Sequence, residues 1–146
     1  MSPNHLLLLN TGLALVLLGL ILTVQFVHYP AFADVGDQAF SRFHMLHSQR
    51  ITLLVGPLMV AEALAALLLV AARPDALPAW AAWAAGILVV VIWLDTALWA
   101  VPLHMKLEGG LDPELVTQLL RANALRAWAW LARAVLLTVF LARALR

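Results

Sequence analysis

Four long apolar segments dominate this chain, and each is long enough to cross a lipid bilayer. They lie at about 5–27, 47–72, 79–101 and 123–142. A helix of about 20 mostly apolar residues spans the hydrocarbon core, and a helix keeps its backbone hydrogen bonds within its own segment. The pattern predicts an all-α fold, a four-helix transmembrane bundle that forms a single domain over residues 1–146.

The composition agrees with a membrane protein and excludes several other classes. Hydrophobic residues make up 64% of the chain and charged residues 12%, whereas a soluble domain is about 45–50% apolar and about 25% charged. The absence of cysteine excludes disulfides, iron–sulfur clusters and cysteine catalysis. The net charge of +1 argues against a nucleic-acid partner. We expect the lipid bilayer and a lipophilic small molecule as partners.

The segments between the predicted spans differ in length. Residues 73–78 are read as a tight turn and residues 28–43 as a longer polar loop. Pro57 follows a glycine inside the second span and predicts a kink there. Asp112 suits an N-cap and Pro113 the first position of a helix. The last helix should therefore begin near Pro113, with its first turns outside the hydrocarbon.

An even number of spans puts both termini and the 73–78 turn on one face of the membrane. The other face, here named the rim, carries the 28–43 and 102–113 segments. Lys and Arg near the rim outnumber those at the opposite face: Arg42, Arg50, Lys106, Arg121 and Arg126 against Arg73, Arg143 and Arg146. The positive-inside rule then makes the rim cytoplasmic, in a bacterial inner membrane. If Arg50 and Arg126 serve a site instead, the two counts are equal.

Four of the five histidines lie where the spans meet water at the rim: His28, His44, His47 and His104. His44 and His47 are three residues apart, so both rings project from one helix face. Imidazole is a common metal ligand and transfers protons near neutral pH. The cluster predicts a metal site for copper or iron, with zinc as a further candidate and haem as the runner-up. The alternative is that these histidines are interfacial anchors.

Ionisable side chains within the spans are the second signal. Glu62 and Arg133 lie at matching depths near the centres of the second and fourth spans, and an unpaired charge there is costly. We expect them to form a buried pair. Asp95 lies nearer the rim, at about the depth of Arg50 and Arg126, and we expect it to bond to one of these arginines. The alternative is that both pairs only hold the helices together.

These groups together suggest a polar funnel that enters the bundle from the rim. Gln25 and Asn123 lie at a similar depth and would line it. Four tryptophans would add flat apolar walls: Trp93, Trp99, Trp128 and Trp130. The alternative for tryptophan is an interfacial aromatic belt, for which Trp93 lies too deep, so we expect Trp93 to pack inside the bundle.

Six short motifs carry a resemblance to known proteins: His28-Tyr29-Pro30, Phe43-His44-x-x-His47-x-x-Arg50, Pro57-x-Met59-x-x-Glu62, Val101-Pro102-Leu103-His104, Gly109-Gly110-Leu111-Asp112 and Asn123-x-x-Arg126-x-Trp128-x-Trp130. The pattern resembles small uncharacterised four-helix bacterial membrane proteins over nearly the whole chain. It is more distantly similar to the anthrone oxygenase-like membrane family in size, span count and a proline after the first span. That likeness implies oxygen-dependent oxidation of an aromatic polyketide, and it carries over no catalytic residue.

The leading hypothesis is a membrane-embedded, metal-dependent oxidoreductase that acts on a lipophilic substrate. The four rim histidines would hold the metal, and Asp95, Arg50 and Arg126 would orient its ligands or a polar substrate group. The alternative is a non-enzymatic membrane module: a metal or small-molecule carrier, or a subunit of a larger complex. Alanine-rich helix faces would allow close helix approach and a homo-oligomer: Ala61, Ala65, Ala66, Ala81 and Ala85.

Overall fold

Helices form nearly the whole chain in the computed structural model, which describes residues 2–146. Five α-helices follow one another: α1 (Pro3–Thr23), α2 (Asp37–Ala71), α3 (Ala79–Asp95), α4 (Val101–Leu107) and α5 (Pro113–Ala144). The π turn Val24–His28 and the 3-10 turn Pro30–Asp34 lie between α1 and α2, and the π turn Thr96–Ala100 lies between α3 and α4. Four helical runs are long and apolar enough to cross a membrane: Pro3–Asp34, Asp37–Ala71, Ala79–Leu107 and Pro113–Ala144. The predicted all-α four-helix transmembrane bundle is confirmed.

Side-chain caps fix the start of α5 where the sequence predicts it. The Asp112 carboxylate accepts hydrogen bonds from the backbone N–H groups of Glu114 and Leu115 at 2.8 and 3.2 Å. Pro113 occupies the first turn, where a backbone N–H has no partner within the helix. The predicted N-cap and helix start are confirmed.

Two predicted boundaries are wrong near the rim. The 28–43 segment is not a polar loop, because it contains the 3-10 turn and the first residues of α2. Phe32 and Phe40 from this segment are fully buried against each other, with ring centroids 5.8 Å apart. Their burial folds the segment onto the bundle, and α2 begins at Asp37 and continues without interruption through Pro57.

The third span also continues further than predicted. The π turn Thr96–Ala100 hydrogen-bonds the Val101 N–H to the Thr96 carbonyl and connects α3 directly to α4. Pro102 directly follows the π turn and lacks a backbone N–H for the helix ladder. The helical run nevertheless continues past it to Leu107.

The bundle is a ring in which α2 and α5 each lie between α1 and α3. Small side chains allow the close approach of these helices, and four of the five alanines noted in the sequence are buried within the chain: Ala65, Ala66, Ala81 and Ala85. Ala61 is exposed. These alanines pack the helices of one chain together, and a homo-oligomer stays a prediction.

A buried ion pair joins all four spans at the centre of the bundle. The Arg133 guanidinium donates to the Glu62 carboxylate at 2.9 Å, and both side chains are inaccessible to solvent. Arg133 also donates to the Asn10 side chain at 2.7 Å and to the Ala85 carbonyl at 3.3 Å. Glu62 accepts the indole N–H of Trp130. The predicted Glu62–Arg133 pair is confirmed.

Candidate functional site

A chain of hydrogen bonds links three side chains at the rim half of the bundle. The Tyr29 hydroxyl lies 3.0 Å from Nε2 of His104, and Nδ1 of His104 lies 2.9 Å from Nε2 of His44. Tyr29 follows the π turn of the first span, His44 lies in α2 and His104 lies in α4. His44 is fully buried and Tyr29 nearly so. Three separate elements therefore form one continuous chain of hydrogen bonds inside the bundle, here named the relay.

The other two rim histidines lie beside this relay. The ring centroid of His47 is 6.2 Å from that of His104 and 5.6 Å from that of His28. His47 is half-buried, and its Nε2 atom is buried with no hydrogen-bond partner among the described residues, as is Nδ1 of His44. His28 is exposed. The fold brings the four histidines into one neighbourhood, as the sequence suggests.

The ring nitrogens of these histidines are not arranged as a metal site. Among residues 2–146, no three His, Cys, Asp or Glu side chains are placed to hold a metal ion. Both nitrogens of His104 are hydrogen-bonded, one to His44 and one to Tyr29, so neither is free to coordinate. The geometry does not fit the four-histidine ligand set of His28, His44, His47 and His104, and metal binding stays a prediction.

Asp95 contacts Arg126, one of the two arginines that the sequence offers. The Arg126 Nε atom lies 3.3 Å from the Asp95 carboxylate, but neither of these two atoms makes an aligned hydrogen bond. Arg126 also donates to Asn123 at 3.0 Å and to Thr96 at 3.5 Å. Of the two arginines, Arg126 is therefore the one paired with Asp95, whereas Arg50 is exposed on α2 and forms no ion pair within the described chain.

A cavity of about 170 Å³ lies directly beneath the relay. Its walls are mostly apolar side chains from the first three spans, and its polar groups include Tyr29, His104, Thr96 and Arg126. Thr52 on α2 and Val101 on α4 line the cavity and are exposed, so the cavity has exposed residues in its wall. The indole of Trp130, also in the wall, is fully buried.

Gln25 and Asn123 lie near the site but do not line this cavity. Asn123 is fully buried between α1 and α5, where it donates to the Gln25 side chain at 2.7 Å. Its amide oxygen accepts a hydrogen bond from Arg126. Asn123 therefore binds Arg126 directly, and Gln25 binds Asn123.

Three of the four predicted tryptophan walls face outward. Trp93, Trp99 and Trp128 are 38%, 55% and 68% exposed, and only Trp130 is buried. Trp93 lines an apolar groove between α2 and α3, and Trp99 lines an outward depression beside Asp95. The prediction for these three side chains is wrong, because depth along a helix does not determine which side of the helix a residue occupies.

Tyr29 is the member of this hydrogen-bonded cluster that sequence reasoning misses. The sequence pattern places it in a polar loop, yet it is buried and connects the cavity to the histidines. The available signal is that the only tyrosine of the chain directly follows a rim histidine.

No known protein family, curated protein or solved structure matches this chain.

Proposed function

We propose that this chain is a membrane-embedded enzyme that takes a lipophilic small molecule from the bilayer and transfers a proton to its polar group. The observation that carries the proposal is the Tyr29–His104–His44 relay, which ends at an apolar cavity within the membrane-spanning region. Positioned imidazole and phenol groups are typical general acids and bases. An apolar cavity favours a lipophilic substrate, since it offers few polar groups and those lie at one end.

The hydrogen-bond pattern favours one direction for the relay. A buried N–H without an acceptor is rare in proteins, so the unpartnered Nδ1 of His44 is assigned as the nitrogen without hydrogen. His44 then donates to His104, and His104 donates to the Tyr29 oxygen. The Tyr29 hydroxyl is left to donate into the cavity. A proton that arrives at Nδ1 of His44 can therefore be passed along the relay to a bound substrate.

Arg126 supplies the second polar contact of the proposed site. Its guanidinium carries five N–H donors, and the Asp95, Asn123 and Thr96 contacts engage only part of them. Because Arg126 lines the cavity near the relay, its free donors can orient an oxygen-bearing group of the substrate toward Tyr29.

The test fills the cavity without disturbing the helices. Gly56 lines the cavity, and a Cβ added there meets only the Thr52 side chain, at 4.0 Å. Gly56→Leu adds a large side chain to the cavity wall, while Gly12→Leu adds the same side chain to an exposed position of α1. Both proteins are purified in nanodiscs, and bound lipophilic molecules are extracted and identified by mass spectrometry. A compound lost from Gly56→Leu alone supports the proposal, and equal retention by both variants contradicts it.

A metal-dependent oxidoreductase is the second candidate. The observation that favours it is the closeness of the rings, with centroids of His44 and His104 5.2 Å apart and unpartnered nitrogens on His44 and His47. Copper, iron or zinc would need His104 to release one of its hydrogen bonds. Elemental analysis of protein purified without a histidine tag tests the metal, and an optical spectrum tests haem. Protein that retains the extracted lipophilic compound but contains no copper, iron, zinc or haem contradicts this candidate.

We propose that the rim faces the cytoplasm of a bacterial inner membrane. The count of Lys and Arg supports this orientation when Arg50 and Arg126 are included, and without them each face carries three. The chain contains no cysteine, so Glu108→Cys and Asp75→Cys each introduce one thiol at opposite faces. In intact cells, an impermeant maleimide should label Asp75→Cys and spare Glu108→Cys. The reverse pattern would invert the orientation.

A further inference from the structure

A second depression lies at the rim beside the end of the first span. It has a volume of about 310 Å³ and is lined by three nitrogen-bearing and four apolar side chains: His28, His47, Arg50, Phe43, Leu46, Ile51 and Leu54. Only Ile51 is shared with the cavity beneath the relay. The depression is therefore a separate feature of the surface, on the outer side of α2.

The polar groups of this depression suit an anion. Arg50 forms no hydrogen bond or ion pair within residues 2–146, and no acidic side chain lines the depression. The rings of His28 and His47, 5.6 Å apart, each carry at least one N–H donor. Arginine binds phosphate oxygens in bidentate fashion, and a histidine N–H adds a further donor. Oxygen acceptors with negative charge match this set.

The apolar part of the depression identifies the source of the anion. Leu54 and Phe43 are 49% and 39% exposed, and both lie on α2 within a run that is apolar enough to cross a membrane. A free phosphate would leave these side chains uncovered, whereas a phospholipid places its chains against them. We propose that the depression binds the headgroup of an anionic phospholipid, with its phosphate on Arg50 and the two imidazoles and its acyl chains along Leu54.

The experiment compares two arginines on the same helix. Arg50 lines the depression, whereas Arg42 is exposed on α2 and lies outside it. The wild-type protein, Arg50→Gln and Arg42→Gln are mixed with dioleoylphosphatidylglycerol or dioleoylphosphatidylcholine, and retained lipid is counted by native mass spectrometry. We expect the wild-type protein and Arg42→Gln to retain phosphatidylglycerol in preference to phosphatidylcholine. Arg50→Gln should bind phosphatidylglycerol about tenfold more weakly, because a charge-assisted hydrogen bond is lost.

The retention measurements distinguish a phospholipid site from a free-anion site and from no site at all. Equal retention by Arg50→Gln and Arg42→Gln, or no preference for the anionic lipid, overturns the proposal. If inorganic phosphate displaces the lipid completely, the site binds a free anion and the lipid assignment fails. Gly56→Leu should retain phosphatidylglycerol like the wild-type protein. The measurements therefore test the lipid site separately from the substrate cavity.

Discussion

Two acid–arginine pairs lie in the membrane-spanning part of this chain, and they differ in how completely their atoms are engaged. The deep pair, Glu62 with Arg133, is inaccessible to solvent and joined by a 2.9 Å hydrogen bond. The pair nearer the rim, Asp95 with Arg126, approaches to only 3.3 Å without an aligned hydrogen bond. The two side chains of the deep pair are therefore hydrogen-bonded to each other, while Arg126 Nε and one Asp95 carboxylate oxygen remain without a hydrogen bond.

The surroundings of the two pairs explain this difference. Every nitrogen of Arg133 has a partner, on α1, α2 or α3. The rim pair instead has space on both sides, because Arg126 lines the inner cavity and Asp95 lines the outward depression next to Trp99. A carboxylate–arginine pair thus has every arginine nitrogen engaged at one depth, and at the other the arginine Nε lacks a hydrogen-bond partner.

The largest expected effect comes from breaking the deep pair. Glu62→Gln keeps the shape of the side chain but leaves the Arg133 charge uncompensated in a buried site, which should destabilise the protein by about 3–5 kcal/mol. Glu114→Gln removes a carboxylate at an exposed position of α5 and is the matched control. Thermal unfolding in detergent measures both. Equal melting temperatures would mean that the deep pair does not stabilise the fold.

Exchanging arginine for lysine at the two sites should give opposite phenotypes. Lysine cannot reach the partners of Arg133 on three helices at once, so Arg133→Lys should cost about 2 kcal/mol or more of stability. Arg126→Lys should leave the melting temperature nearly unchanged and weaken retention of the cavity ligand about tenfold. Melting curves and ligand extraction are run on both variants. If both lose stability alike, Arg126 belongs to the scaffold.

Tyr29→Phe should destabilise the protein less than either substitution in the deep pair. It removes one hydrogen bond from the rim site and should cost about 1 kcal/mol. The specific readout is the imidazole ¹⁵N NMR spectrum, in which the Nε2 signal of His104 should shift while that of His5 does not. His5 is a suitable reference because it is exposed near the N-terminus and contacts only Ser2. An unchanged His104 signal would exclude Tyr29 from the relay.

The sequence alone predicts features that depend on depth along a helix. Glu62 and Arg133 could be paired from their positions in the spans, because a buried charge strongly favours a partner at the same level. The start of α5 could be predicted from Asp112 and Pro113, since capping is a local property. These predictions hold because neither requires knowledge of how the helices are rotated about their axes.

The features that sequence reasoning misses depend on rotation and on tertiary packing. Asp95 has two arginines at suitable depth, and only the packed bundle distinguishes Arg126 from Arg50. Trp99 and Trp128 lie at the expected level but on the outer side of their helices. The burial of Phe32, which makes the 28–43 segment helical rather than a loop, arises from contacts with Phe40 and the rim histidines.

The two π turns determine the direction in which Tyr29 and His104 face. A π turn is equivalent to an α-helix with one extra residue, so the residues that follow it are out of phase with those before it. In this chain one π turn precedes Tyr29 and the other precedes His104. If Thr96–Ala100 formed a regular α-helical turn with all five residues kept, His104 would be turned by about 100° around the helix axis. His104 would then lose its hydrogen bonds to Tyr29 and His44, although the four spans would keep their length and hydrophobicity.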